Sequence, residues 1–306
     1  MKSSLTPVSY AKWPNCLRLS DGETELIVTT DVGPRIIRCG RVGGPNLFKE
    51  YARQMGRTGG SRWRIFGGHR FWIAPEHRPL TYVPDNIPVP WTWNGSELRI
   101  TQQPDQPSGL QKHLAIRLAG GAVCVTHTLV NRSKRTQRVA PWSLTVMAPG
   151  GRAIFPQARY ASHTRNLLPA RPVVLWKYTN MADPRWTWGE QLIQLRQDPK
   201  AKNPQKVGLC STPAWMAYAT PHATFIKRHT YDSRATYADM GCNAETFTNA
   251  DMLELESLGA LVDLKPGARA THVETWRVFG TVLKDFNEKS LAKALHPLVL
   301  ATPRPR

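Results

Sequence analysis

"KHLAIRLAGGAVCVTHTLV", residues 112–130, decides the fold: two β-rich runs flank Gly120-Gly121, the signal of a hairpin. Similar short runs recur on both sides of it. "ELIVTTDVGPRIIRCGRVGG" (25–44) reads as strand, Gly-Pro turn, strand. It is joined by "SELRITQQ" (96–103), "RVAPWSLTVM" (138–147), "RPVVLWKYT" (171–179), "QLIQLRQ" (191–197), "AWMAYAT" (214–220) and "ATFIKRHTY" (223–231). Helical period appears only in "KDFNEKSLAKALHPLV" (284–299), where Asp285 or Asn287 is a candidate cap ahead of Leu291, Leu295 and Leu298. Many short strands without alternating helices predict an all-β, large antiparallel β-sandwich with a short C-terminal helix. With no linker and no internal repeat, residues 1–306 are expected to form a single domain, 1–19 being an N-terminal extension and 285–306 a C-terminal helix and tail.

The composition sets limits on function. The 306 residues are 41% hydrophobic with 25 prolines, which suits a globular, loop-rich chain. Five scattered cysteines without a C-x-x-C pair signal neither a disulfide framework nor a zinc site, and no metal or other cofactor is expected. No run is long enough to span a membrane and the first residues lack a secretory pattern, so the expectation is a cytoplasmic protein without a membrane partner. The net charge of +19 raises nucleic acid as a partner. The excess is diffuse, however, and its densest run, "NRSKRTQR" (131–138), has the composition of a solvated loop, so nucleic acid is not the expected partner.

Three aromatic-rich polar segments stand out: "RWRIFGGHRFWIAPEHR" (62–78), "YVPDNIPVPWTW" (82–93) and "DPRWTWGE" (183–190). Trp stacks on an apolar sugar face while Arg, Asp and Asn satisfy hydroxyls, although Trp beside Arg is also an ordinary core anchor. The mixture at 67–79 fits neither an alternating strand nor a small-residue loop and reads as the wall of a pocket. The second constellation is acidic. From Asp239 to Glu256 there are five acids and no Lys or Arg. The alternation in "LELES" gives Glu254 and Glu256 a structural reading, with Leu253, Leu255 and Ser257 on one face, whereas Glu245 sits among small and polar residues.

These residues carry a resemblance. "CNAETF" (242–247), followed by "LKPGARATHVETWRVF" (264–279), resembles the end of aldose epimerases of the galactose mutarotase type, in which the Glu of a Cys-Leu-Glu-Thr-Gln-like motif is the catalytic base. "DVGPRIIRCGRVGGPNLF" (31–48) is similar to the first hairpin of that superfamily, and "RIFGGHRFWIAPE" (64–76) stands at the place of its sugar-site loop. "VGGPNLFKEY", "GGHRFWIAPE", "YVPDN" and "TNADMLELESLG" together resemble an uncharacterised bacterial branch of it.

The resemblance implies a carbohydrate-binding protein that interconverts sugar anomers without a cofactor. Glu245 would be the base and His69 or His77 the acid. Arg64, Arg70, Trp72, Glu76, Asp85, Asn86 and Trp186 would bind a small-molecule or oligosaccharide ligand, with the glycines at 67–68 letting the backbone approach it. One departure counts against turnover. Where the family carries the His that protonates the ring oxygen, this chain has Trp142-Ser143, and His127 on the preceding strand is no simple replacement. A non-catalytic carbohydrate-binding module is the alternative, and a nucleic-acid binder the second.

Overall fold

The computed structural model describes residues 3–305. Two antiparallel sheets face each other. The larger runs β1 (Ser4–Tyr10), β2 (Trp13–Ser20), β3 (Thr24–Thr29), β4 (Arg35–Arg41), β5 (Gly68–Ala74), β10 (Gln137–Met147), β19 (Leu253–Leu258), β18 (Ala244–Thr248), β15 (Gln205–Leu209) and β12 (Val173–Leu175), with β20 (Val262–Leu264) paired to the start of β10. The smaller runs β13 (Trp186–Trp188), β14 (Leu192–Arg196), β11 (Arg152–Pro156), β16 (Trp215–Ala219), β17 (Thr224–His229), β21 (Arg269–Phe279), β9 (Ala122–Asn131), β8 (Leu110–Ala119), β7 (Glu97–Thr101) and β6 (Trp91–Trp93). The Gly120-Gly121 hairpin joins β8 to β9 as expected. A four-residue turn, α1 (Ala238–Gly241), in which Asp239 and Met240 take left-handed backbone angles, and the C-terminal helix α2 (Glu288–Ala301) complete the chain. Asn287 caps α2 by accepting the Lys289 N–H.

Period-two alternation builds the core. Leu26, Val28, Ile36, Phe71, Ile73, Leu253 and Leu255 of the larger sheet meet Leu98, Ile100, Leu114, Ile116, Val123, Val125 and Leu129 of the smaller one. Phe48, Phe225 and Trp276 lock together between them with ring centroids 5.8–6.0 Å apart. Each such side chain removed from water contributes roughly 1.5–3 kcal/mol.

Two stretches differ in form from what their sequence suggests. In the stretch expected as an N-terminal extension, the described residues form β1 and β2, a hairpin that continues the larger sheet through β3. The stretch 67–79 is not chiefly a loop, because Gly68–Ala74 is a central strand paired to β10 along its length and fully buried. The glycine pair serves this packing. Gly67 has φ +106°, and a Cβ there would stand 1.9 Å from the Lys49 carbonyl oxygen. The glycines therefore let chain pass chain, not chain approach ligand.

Candidate functional site

Strand β5 sends its side chains to two buried faces. His69, Phe71 and Ile73 point between the sheets, while Arg70, Trp72 and Ala74 point to the outer side of the larger sheet. On that outer side one row crosses six strands in register: Arg35, Arg70, Leu144, Glu256, Glu245 and Gly208. The row is basic at one end and acidic at the other. Arg35 pairs with Asp85 at 2.7 Å and Arg70 with Glu254 at 2.8 Å. The Arg70 guanidinium lies 4.4 Å from the Trp72 ring centre, and Trp63, Tyr82 and Trp142 surround that ring. Trp72, only 7% exposed, is thus a packed anchor and not a free stacking platform.

The acidic end gathers buried titratable groups. Lys206, which points to the same outer side from β15, places Nζ 2.8 Å from Glu245 Oε2 and 3.0 Å from Glu256 Oε2. The Trp142 indole N–H donates to Glu256 Oε2 at 3.1 Å, so the residue standing where a His was expected is a donor in this cluster. The ammonium also lies 4.9 Å from the Trp142 ring centre and 4.7 Å from that of Trp176. Gly208 makes room above the row, since a Cβ there would sit 2.4 Å from Cys242 Sγ and 3.3 Å from the Trp176 ring.

Both carboxyls are fully buried. Burial pushes Glu245 well above the usual carboxylate range; Lys206 pulls it back, and Glu256 adds to the rise. Burial also raises Glu256, with Lys206 pulling it back and the charge of Glu254 adding to the rise. Burial alone would lower Lys206, but its two carboxyl partners hold it well above the ordinary lysine value, so it stays an ammonium. Two carboxyls sharing one cation in a dry site can hold one exchangeable proton between them, which is the requirement for acid–base work near neutral pH.

The remaining sequence-derived candidates separate. His69 lies on the other face of the sheet from Glu245, bonded through Nδ1 to Thr145 and through Nε2 to His127 Nε2 at 2.7 Å, so the expected Glu245–His69 pair is not formed. His77 is exposed on the loop after β5, where its backbone N–H donates to the Thr81 hydroxyl and its carbonyl accepts the Thr81 N–H. Glu76 accepts the Tyr82 hydroxyl, at the rim. Arg64 donates to the Gly59 carbonyl, and Asn86 to those of Gly60 and Arg62, so these two shape loops. Trp186 stands at the edge of the smaller sheet, stacked on Trp188 at 4.9 Å and packed into the inter-sheet core. Glu254 pairs with Arg70, whereas Glu256 shares Lys206 with Glu245.

Between the sheets lies a second polar cluster. His69, His127 and Glu274 bring ligand atoms within 4.8 Å of one another, a spacing compatible with a metal ion. Its charge balance is already met without one: Lys227 Nζ lies 2.7 Å from Glu274 Oε1, and Ser257 and Trp276 donate to the same carboxylate. A divalent ion would face that ammonium in a site with no water to screen it.

Neither a protein-family model nor a curated protein matches the sequence. Solved structures do match. A galactose mutarotase-like protein from Lactobacillus casei is 9% identical over 86% of this chain and 100% of its own, with a TM-score of 0.53. A galactose mutarotase related enzyme from Lactobacillus acidophilus is 8% identical, with 87% and 98% covered and a TM-score of 0.50. The fold is galactose mutarotase-like. A protein named as a candidate aldose 1-epimerase from Klebsiella pneumoniae adds a likeness at 11% identity, 98% and 87% coverage and a TM-score of 0.59. Among the described residues, no helix is long and apolar enough to cross a membrane.

Proposed function

We propose that this galactose mutarotase-like chain is a carbohydrate-binding protein of the aldose-epimerase type, acting at the anomeric centre on the outer face of the larger sheet. The observation that carries the reading is the opposed pair Glu245 and Glu256, sharing Lys206 beneath the rings of Trp142 and Trp176. Mutarotation needs a group to take the proton of the anomeric hydroxyl and another to protonate the ring oxygen, after which the C1–C2 bond rotates and the ring recloses. Glu245 is the acceptor. Glu256, held by Lys206 and the Trp142 N–H, replaces the histidines as the partner that returns a proton. The partly exposed Trp176 ring offers a flat apolar surface that a pyranose covers. Because both carboxyls are sealed, a sugar reaches them only when their covering segment moves; Tyr178, 42% exposed in the turn after Trp176, belongs to it.

That full burial also favours a second reading, in which the fold binds a saccharide at the rim without turning it over. Following Trp fluorescence and anomeric exchange by NMR across a panel of aldoses and sugar phosphates separates the two. Saturable quenching with accelerated exchange supports the proposal; quenching alone leaves the non-catalytic reading. The absence of both removes carbohydrate from the account.

A further inference from the structure

The outer face of the smaller sheet carries a different chemistry. Strands β6 to β9 and the start of β21 line a depression of about 360 Å³ with Arg99, Arg117, Arg132 and Arg269, together with His113 and Glu97. Register explains the grouping. Thr92 opposes Arg99, Arg99 opposes Ala115 and Ala115 opposes Thr126, while in the next row Thr101 opposes His113 and His113 opposes Thr128. Alternate residues of β8 and β9 remain half exposed there, so this side of the sheet meets solvent.

The arginines are preset. Glu97, itself buried, accepts from Arg99 Nε at 2.5 Å with one oxygen and from Arg117 Nε at 2.6 Å with the other. Arg132 Nε is fixed in the same way by the Gln111 amide oxygen at 2.8 Å. Holding a guanidinium by Nε fixes its plane and leaves its terminal N–H groups to face outward, and the Arg99 and Arg117 side chains remain 67% and 62% exposed. Four guanidinium groups against one carboxylate leave three positive charges in the lining. Burial lowers the His113 pKa, and the nearby charges of Arg132 and Arg269 lower it further, which registers the positive field of the depression.

We propose that this depression is a binding site for oxyanion groups, sulfate or phosphate, carried on a saccharide. Fork-shaped donors fixed before binding suit tetrahedral oxyanions, and the hydroxyls of Thr92, Thr101, Thr126 and Thr128 suit the sugar oxygens between them. No Trp, Tyr or Phe is among the described residues that line it, so a single-stranded nucleic acid would find no ring on which to stack its bases. The site lies on the opposite sheet from Glu245 and stands or falls independently of the function proposed there.

Calorimetric titration of the whole protein tests it, with a heparin-derived oligosaccharide, its desulfated counterpart, inorganic phosphate and a short mixed-sequence DNA duplex as probes. The sulfated oligosaccharide should bind in a salt-sensitive manner, and the double variant Arg132→Ala/Arg269→Ala should weaken it roughly tenfold or more while melting like the parent. Arg99→Gln/Arg117→Gln should do the same. Because that pair leaves Glu97 without partners and can cost stability, the first pair is the deciding one. Equal binding of the desulfated sugar, unchanged affinity in Arg132→Ala/Arg269→Ala, inorganic phosphate binding as tightly as the oligosaccharide, or DNA binding more tightly would each overturn the proposal.

Discussion

Glu245 and Glu254 are both buried acids on neighbouring strands, yet their partners give them different roles. Glu254 is the sole carboxylate paired with Arg70 among the described residues, with both side chains nearly sealed from water. Glu254→Gln therefore leaves a buried guanidinium uncompensated and should cost about 3–5 kcal/mol, read as a fall in the urea midpoint. Glu245 shares Lys206 with Glu256, so the ammonium keeps a carboxyl partner when Glu245 is replaced. Its replacement by Gln, nearly isosteric and neutral, should cost no more than about 1.5 kcal/mol. Lys206→Met is predicted to be worse than either single Gln, since it strands two carboxyls together; its stability should fall as pH rises and both ionise.

Strand β5 shows what was and was not legible at the level of the element. A strand with one wet face announces itself by alternation, as β8 and β9 do, and the Gly120-Gly121 pair between their β-rich runs marks the hairpin. Both faces of β5 are buried, and the polar half of its alternation is satisfied by Glu254, Thr145 and His127 from other strands. None of those partners is near in sequence, so the segment looked like a pocket wall. Helix α2 was legible because its Asn287 cap and leucine spacing are local. Lys206 and Glu256 were missed as site residues for the opposite reason: only the order β19-β18-β15 brings them to Glu245, and the alternation in "LELES" hinted at the face but not at the partner. The same element gives a sharp prediction. Gly67→Ala drives a Cβ into the Lys49 carbonyl at a backbone angle that disfavours side chains, and should destabilise by roughly 3 kcal/mol or more, measured by thermal melting. Replacing the half-buried Gly95, which has φ +92° but whose added Cβ meets nothing, carries the backbone strain without the clash and should cost less.

Across the whole molecule, the sandwich encloses four buried histidines among the described residues, and the folded chain holds them neutral. Burial, with Lys227 and neighbouring charges acting against Glu274, leaves His127 and His229 at about 4, and His69 and His272 also well below the ordinary value. The unfolded chain takes up protons on these rings from about pH 6.5 downward, whereas the folded chain refuses them on His127 and His229 until about 4 and disfavours them likewise on His69 and His272. Stability should therefore fall as pH drops through that window, by up to about 1.4 kcal/mol per pH unit for each ring. Burial alone would raise Glu274, but Lys227 and the surrounding histidines hold it well below the carboxylate range, so its contribution is lost on further acidification below about pH 4.3. Chemical denaturation at a series of pH values, with His127→Gln flattening the upper part of the curve, checks this. It leaves open the claim that matters most, that the outer face of the larger sheet works on sugars. The most direct measurement is the rate of α/β exchange of the best aldose, by NMR, for the parent and for Glu245→Gln with matched melting temperatures. The account predicts acceleration by the parent and a loss on the order of 10²–10⁴ in the variant; equal rates in two equally folded proteins would contradict it.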